Sequence, residues 1–319
     1  MVILSSIVVL LASLYVLARS ANLTVAHIVR IAHYFNISEA LIGVSVLSVS
    51  TSLPEISIAV MAALSGSPSI SVGNVLGSSI TDLCLVIGVG VLLAGHVKLT
   101  RRGLRQTVGL LAIVSIIPLV LVMIKRLNLI TGVILLGIFA AYTLSMIRKE
   151  HTTAMVAHHA VPSVCIPRSL SFFIVGIAGV LIASKVVVDS ALNLTAATGL
   201  SNTLIGATVV SLGTCLPELT IDITALRKKH VELALGDAIG SCLTNLTIVF
   251  GLLGILSPVG INVHEVMFPA LFLVIAAIAS WYMFEFKREI TIKNAVVLIL
   301  MYVAFVVLEV VNSVWMPFV

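Results

Sequence analysis

The chain of 319 residues is 60% hydrophobic and 10% charged, and its mean hydropathy is +1.23. Soluble domains carry about 25% charged residues, so this composition excludes that class and describes an integral membrane protein. The net charge of +5 comes from Lys and Arg gathered between apolar stretches, which reads as membrane topology and not as a nucleic-acid surface.

Ten apolar stretches follow in chain order, at 2–20, 38–63, 70–95, 106–124, 127–147, 169–191, 200–226, 232–257, 264–284 and 294–315. Each is long enough to cross about 30 Å of hydrocarbon. The first lacks the basic start of a signal peptide and is closed by Arg19, so it is read as a retained helix. Runs such as 133–144 and 269–279 are apolar on every side, against the in/out alternation of an outer-membrane barrel. The expected architecture is all-α, with ten transmembrane helices.

Ten helices divide the connections between the two faces of the membrane, and fifteen of the eighteen Lys and Arg residues fall on one of them. That face is read as cytoplasmic. Both termini then point outward, and the loop 148–168 points inward. Lys125 and Arg126 lie on the other face. Lys185 lies within the sixth helix, with Asp189 one turn on as its natural partner. The stretch 151–168, with His151, His158 and His159, reads as a solvated linker between two halves. Cys84, Cys215 and Cys242 fall in predicted helices and Cys165 in the linker, a pattern that implies no disulfide framework.

The two halves resemble each other. Aligned without a gap, 43–88 and 206–251 share sixteen identities in 46 positions, including Gly43/Gly206, Thr51/Thr214, Pro54/Pro217, Glu55/Glu218 and Ser78/Ser241. Each copy holds one glutamate in an apolar span, STSLPEI at 50–56 and GTCLPEL at 213–219. A carboxylate near the bilayer centre costs about 2.5 to 3.5 kcal/mol on insertion scales, so it marks a functional site by default. Equivalent points are five helices apart, an odd number, so the second copy enters the membrane inverted. The first unit is 1–150, with its repeat core at about 37–90; the second is 169–319, with its core at about 200–253.

Helical spacing gathers the polar residues. Ser48, Thr51, Ser52 and Glu55 share one face, as do Ser211, Thr214, Cys215 and Glu218; Ser78 with Asp82, and Ser241 with Asn245, are four apart. Pro54 and Pro217 lack an amide hydrogen, so the carbonyls of Ser50 and Gly213 are expected to lose their helical partners and become ligands. Gly73, Gly77, Gly236 and Gly240 form small-residue faces that let helices 3 and 8 pack closely. Carboxylates, hydroxyls and carbonyls are hard donors that suit Ca²⁺ and Na⁺. Glu55, Glu218 and Asp82 carry more charge than one divalent ion neutralises, so at least one is expected to be protonated in some states. Asp222, opposite Ala59 in the alignment, is read as a polar residue near a helix end in preference to a vestibule carboxylate. Asp237, opposite Asn74, is read as an acid at the start of helix 8 that suits the helix dipole.

The motifs STSLPE with GNVLGSSITDL and GTCLPEL with GDAIGSCLTNL resemble the two α-repeats of the cation/calcium antiporter superfamily, in particular the prokaryotic sodium/calcium exchangers. The resemblance implies alternating-access exchange of Ca²⁺ for Na⁺ in a cell membrane, at overlapping sites between helices 2, 3, 7 and 8. Glu55 and Glu218 would be the shared carboxylates, beside backbone oxygens of Thr51 and Thr214. Ser48, Ser52 and Ser78 would build one flanking Na⁺ site, and Ser211, Cys215 and Ser241 its mirror image, with helices 1 and 6 as the sliding gate. Two positions depart from the pattern. The archaeal exchangers carry Asn then Asp where this chain has Asp82 and Asn245, and Cys215 stands where a serine is usual. The resemblance implies no cofactor and no obligatory protein partner beyond the bilayer and the ions. A proton-coupled exchanger of Ca²⁺ or another divalent cation is the alternative, since acids could replace Na⁺. A passive channel and an intramembrane hydrolase are competing classes; the duplicated, hydroxyl-flanked acids speak against the hydrolase.

Overall fold

A computed structural model describes residues 2–34, 47–98, 102–151, 166–227, 231–287 and 289–315. Gly43, Lys228 to His230, His158, His159 and Cys165 lie outside the described residues, as does most of the expected linker. Among the described residues the fold is all-helical apart from four short strands. Among the described residues, seven helices are long and apolar enough to cross a membrane, or eight if one bent pair counts as a single span.

In the first half, α1 (Val2–Tyr34) is followed by α2 (Ser48–Thr51), α3 (Leu53–Leu64) and α4 (Pro68–Ile80), which continues through a π-helical stretch, Thr81–Val86, into α5 (Ile87–Ala94). Then come β1 (His96–Lys98), α6 (Arg102–Val114), α7 (Ile117–Ile124), β2 (Arg126–Leu127) and α8 (Leu129–His151). The second half follows a similar order. It has α9 (Ile166–Thr198), α10 (Asn202–Ile205), a π-helical stretch at Gly206–Val210, α11 (Ser211–Thr214) and α12 (Leu216–Arg227). It continues with α13 (Val231–Thr244), a π-helical stretch at Asn245–Val249, α14 (Phe250–Leu256), β3 (Val259–Gly260), α15 (Val263–Tyr282), β4 (Glu289–Thr291) and α16 (Ile292–Trp315).

The first helix corrects the sequence-based expectation. It does not stop at Arg19 but runs for 33 residues, with Arg19 and Arg30 both exposed on its surface. Arginine is a good helix former whose long stem carries its charge away from apolar surroundings, so one Arg closes an apolar run without closing a helix. Its counterpart α9 is also 33 residues long. At 1.5 Å per residue each spans about 50 Å, more than the hydrocarbon is thick, which tilt or protrusion must absorb.

The two long helices lie against each other and share an apolar cluster of Leu10, Leu14, Leu17, Val180, Val187 and Val188 with Ile58, Ile70 and Val210. This cluster is separate from the main core, which is built from α4 to α8 and α12 to α16 and includes Leu76, Leu83, Leu246, Phe250 and Phe305. The short strands clip loops together: β1 pairs antiparallel with β4, and β2 with β3. On α9, Lys185 Nζ meets Asp189 Oδ1 at 2.6 Å and donates to Ser65 Oγ at 3.1 Å, with about half of each charged side chain exposed. Exposed i,i+4 pairs contribute about 0.3 to 0.5 kcal/mol. Lys185→Ala is therefore expected to leave both the detergent melting temperature and transport essentially unchanged.

Candidate cation site

Both glutamates sit just after a helix break. Ser52 (φ −78°, ψ 8°) separates α2 from α3, and Cys215 (φ −76°, ψ 1°) separates α11 from α12, with Pro54 and Pro217 each at the second residue of the continuing helix. Proline is tolerated in the first turn, so the break falls where the sequence puts the ring. The second of these bends is 41°. At the two breaks the Ser52 N–H donates to the Ser48 carbonyl at 3.2 Å and the Cys215 N–H to the Ser211 carbonyl at 3.0 Å, so the last turn before each break keeps its i→i−4 bond.

The site is built across the two repeats. Thr51 Oγ donates to Asp237 Oδ1 at 3.1 Å and lies 3.1 Å from Ser241 Oγ. In mirror fashion, Thr214 Oγ donates to Asn74 Oδ1 at 3.2 Å and lies 3.3 Å from Ser78 Oγ. Ser78 Oγ also donates to Glu55 Oε1 at 3.4 Å. Each threonine thus ties its broken helix to the glycine-rich helix of the other half. Glu55, Glu218, Asp82, Thr51, Thr214, Ser52, Ser78, Ser241, Asn245, Ser48, Ser211 and Cys215 are all buried.

Cys215 Sγ lies 3.7 Å from the Ser78 carbonyl and 4.0 Å from Glu55 Oε1. Ser211 Oγ bonds back to the Ala207 carbonyl at 2.7 Å, as hydroxyls inside helices commonly do. Ser52 Oγ, Glu55 Oε2, Glu218 Oε2, Asp82 Oδ1 and both ends of the Asn245 amide are buried without a hydrogen-bond partner. Such orphans are rare in a protein interior, and this set of oxygen and amide atoms fits a cation. Among the described residues no three His, Cys, Asp or Glu side chains converge on one metal position. A cation bound here draws much of its coordination from hydroxyl, amide and carbonyl oxygens, as Ca²⁺ and Na⁺ accept.

Two further acids were misread from sequence. Asp237 is not at the start of its helix; it is two turns inside α13, fully buried and held by Thr51. Asp222 is only 2% exposed and interacts with Asp237. Helix 8 begins at Val231, so six residues precede Asp237, and a helix-dipole reading has no purchase there. The usable signal was the repeat itself, which aligns Asp237 with Asn74, four residues before the site serine.

The π-helical stretches were also not foreseen. Asp82 and Asn245 both lie in them, Thr81–Val86 and Asn245–Val249. π-turns inside α-helices recur at functional sites, and their hydrogen-bond register carries no residue signature that spacing reveals. Gly73 and Gly77 face the backbone of Thr203 and Ala207, so this small-residue face lets α4 approach the segment 203–211, and not helix 8 as expected. Away from the acids, a cavity of about 490 Å³ opens between Ser69, Thr195, Ser201, Asn202 and Glu265.

Comparison with known proteins gives consistent matches. A model of sodium/calcium exchanger proteins matches twice, over residues 5–148 and 168–311. An uncharacterised membrane protein of Methanocaldococcus jannaschii is 31% identical over 68% of this chain and 70% of its own length. A putative antiporter, CaxA, of Alkalimonas amylolytica is 30% identical over 78% and 80%. The sodium/calcium exchanger MaX1 of Methanosarcina acetivorans is 23% identical over 94% and 97%. Among solved structures, the sodium–calcium exchanger NCX_Mj soaked with 10 mM Na⁺ and 10 mM Sr²⁺ superposes with a TM-score of 0.69 at 26% identity, covering 96% of this chain and 99% of that one.

Proposed function

The chain belongs to the sodium/calcium exchanger family, and from that premise we propose that it exchanges Ca²⁺ for Na⁺ by alternating access at a site between the two repeats. The observation that carries this reading is the crossed pair of contacts, Thr51 to Asp237 and Thr214 to Asn74, which holds Glu55 and Glu218 in one buried cluster of oxygen donors. The proposed ligands are Glu55, Glu218, Asp82, Asn245, Thr51, Thr214, Ser52, Ser78, Ser241, Ser48 and Ser211, with Cys215 a weak one. The apolar packing of α1 and α9 on each other and on Ile58, Ile70 and Val210, outside the main core, supports their role as the sliding gate.

The proposed topology is ten membrane helices in two inverted five-helix repeats, 1–150 and 169–319, in the cell membrane with both termini outside. Two observations support it. The family model matches each half separately, and each strand pair joins loops that the charge distribution assigns to one face: β1 with β4 among basic loops, β2 with β3 opposite them. The cavity beside Glu265 then opens outward.

Uptake of ⁴⁵Ca²⁺ into proteoliposomes under an outward Na⁺ gradient, a proton gradient or neither tests the proposal. Uptake that needs the Na⁺ gradient supports it. Uptake driven by protons alone transfers the reading to a proton-coupled exchanger, and uptake indifferent to both makes the protein a passive pathway. The thiol of Cys215 is a poor ligand for a hard ion and lies against Glu55. Cys215→Ser is therefore expected to lower the Na⁺ concentration needed for half-maximal exchange about threefold, read in the same assay; an unchanged value removes Cys215 from the ligand set.

A further inference from the structure

Among the described residues, five acids gather at this site: Glu55, Asp82, Glu218, Asp222 and Asp237, none more than 2% exposed. They act on one another electrostatically, and no Lys or Arg among the described residues acts on any of them. One Ca²⁺ at the central glutamates compensates two of five. A buried charge left without a partner is costly, so the remaining acids need either a proton or positive charge of their own.

Asp222 and Asp237 form a distinct pair. They face each other within hydrogen-bonding reach, and beyond that mutual contact Asp222 Oδ1, Asp222 Oδ2 and Asp237 Oδ2 have no donor among the described residues. Asp237 Oδ1 is steadied by the Thr51 hydroxyl, which in turn touches Ser241 Oγ. The set offers four carboxylate and two hydroxyl oxygens, enough for a divalent cation that takes six to eight.

The duplication shows that these acids are not needed to build the fold. In the first half the same construction stands with Asn74 in place of Asp237, accepting from Thr214 with the same geometry, and with buried Ala59 in place of Asp222. Both positions are neutral in the first half and acidic in the second, and the two acids are the ones that meet.

From this juxtaposition we infer that Asp222 and Asp237, with the hydroxyls of Thr51 and Ser241, form a second Ca²⁺-binding position beside the Glu55–Glu218 site. The inference rests on the exchanger reading only for the identity of the neighbouring site. It gives the second half of the protein a carboxylate station that the first half lacks, so the two membrane faces approach the central site through unequal chemistry.

Equilibrium ⁴⁵Ca²⁺ binding to the purified full-length protein in Na⁺-free detergent buffer tests it. Wild type is expected to bind two Ca²⁺ per chain. Asp222→Ala with Asp237→Asn, which gives the second half the residues of the first, is expected to bind one, and Glu55→Gln with Glu218→Gln is expected to keep the one held by the aspartates. Should the Asp222/Asp237 double variant not elute as a folded monodisperse species, Asp222→Asn alone carries the same expectation with volume preserved. A wild type that binds one Ca²⁺, undiminished in the aspartate variants, overturns the second position and leaves the pair sharing a proton. Undiminished binding in the glutamate variant instead overturns the central site and leaves this inference standing.

Discussion

Glu55→Gln and Glu218→Gln are each expected to bring Na⁺-gradient-driven ⁴⁵Ca²⁺ uptake in proteoliposomes down to the level of protein-free vesicles. Both carboxylates are almost fully buried, each keeps one oxygen without a hydrogen-bond partner, and among the described residues no basic side chain stands in as a counter-charge. Glutamine preserves the volume and one acceptor oxygen but removes the charge. Removing one member of a desolvated charge contact costs about 2 to 5 kcal/mol, and at about 1.4 kcal/mol per decade that is a loss of roughly 30-fold or more in Ca²⁺ affinity. The folded state is expected to survive, because the amide relieves like-charge repulsion with Asp82 and with the other glutamate. Each variant should elute from size exclusion as wild type does. Transport retained at more than a tenth of wild type in either variant would remove that glutamate from the site.

The second large effect is structural. Gly77→Ala is expected to abolish recovery of folded protein, whereas Gly137→Ala should not. A Cβ at Gly77 would overlap the carbonyl of Ala207 and come within 2.6 Å of Ser211 Oγ, while nothing lies within 4 Å of one at Gly137. The Ala207 contact is backbone, which cannot rotate aside, so α4 would have to move off the segment that carries Thr214. Overpacking of this kind costs about 1 to 3 kcal/mol where neighbours can yield, and more where they cannot. Gly137 sits in α8, where alanine is favoured by up to about 1 kcal/mol in helix propensity. Fluorescence-detected melting in detergent separates the two, and a Gly77→Ala protein that melts with wild type would show that the close crossing is not rigid.

The long apolar helices were legible because membrane insertion imposes a simple rule, about 20 apolar residues per crossing, that local composition reveals. The break beside each glutamate was legible too, since Pro54 and Pro217 act on their own helices. Errors came where a local signal was overruled by what lay beyond its own stretch of chain. Arg19 ended an apolar run but not α1. Asp237 looked like a dipole acid until the extent of α13 put it two turns inside the helix, against Thr51 from the other half.

Sequence alone determined which residues could carry cation chemistry, because a duplicated acid in an apolar span, flanked by hydroxyls and prolines, is a composition that only a site repays. Only the tertiary structure decided how they combine. Thr51 reaches Asp237 across 186 positions, Thr214 reaches Asn74 across 140, and Cys215 reaches Glu55 across 160. Spacing along a helix places residues on a face, but the partner of that face is chosen by how the two halves pack. Here glycines that admit backbone to backbone set that packing, and they bring each half's broken helix against the other half's acids and amides.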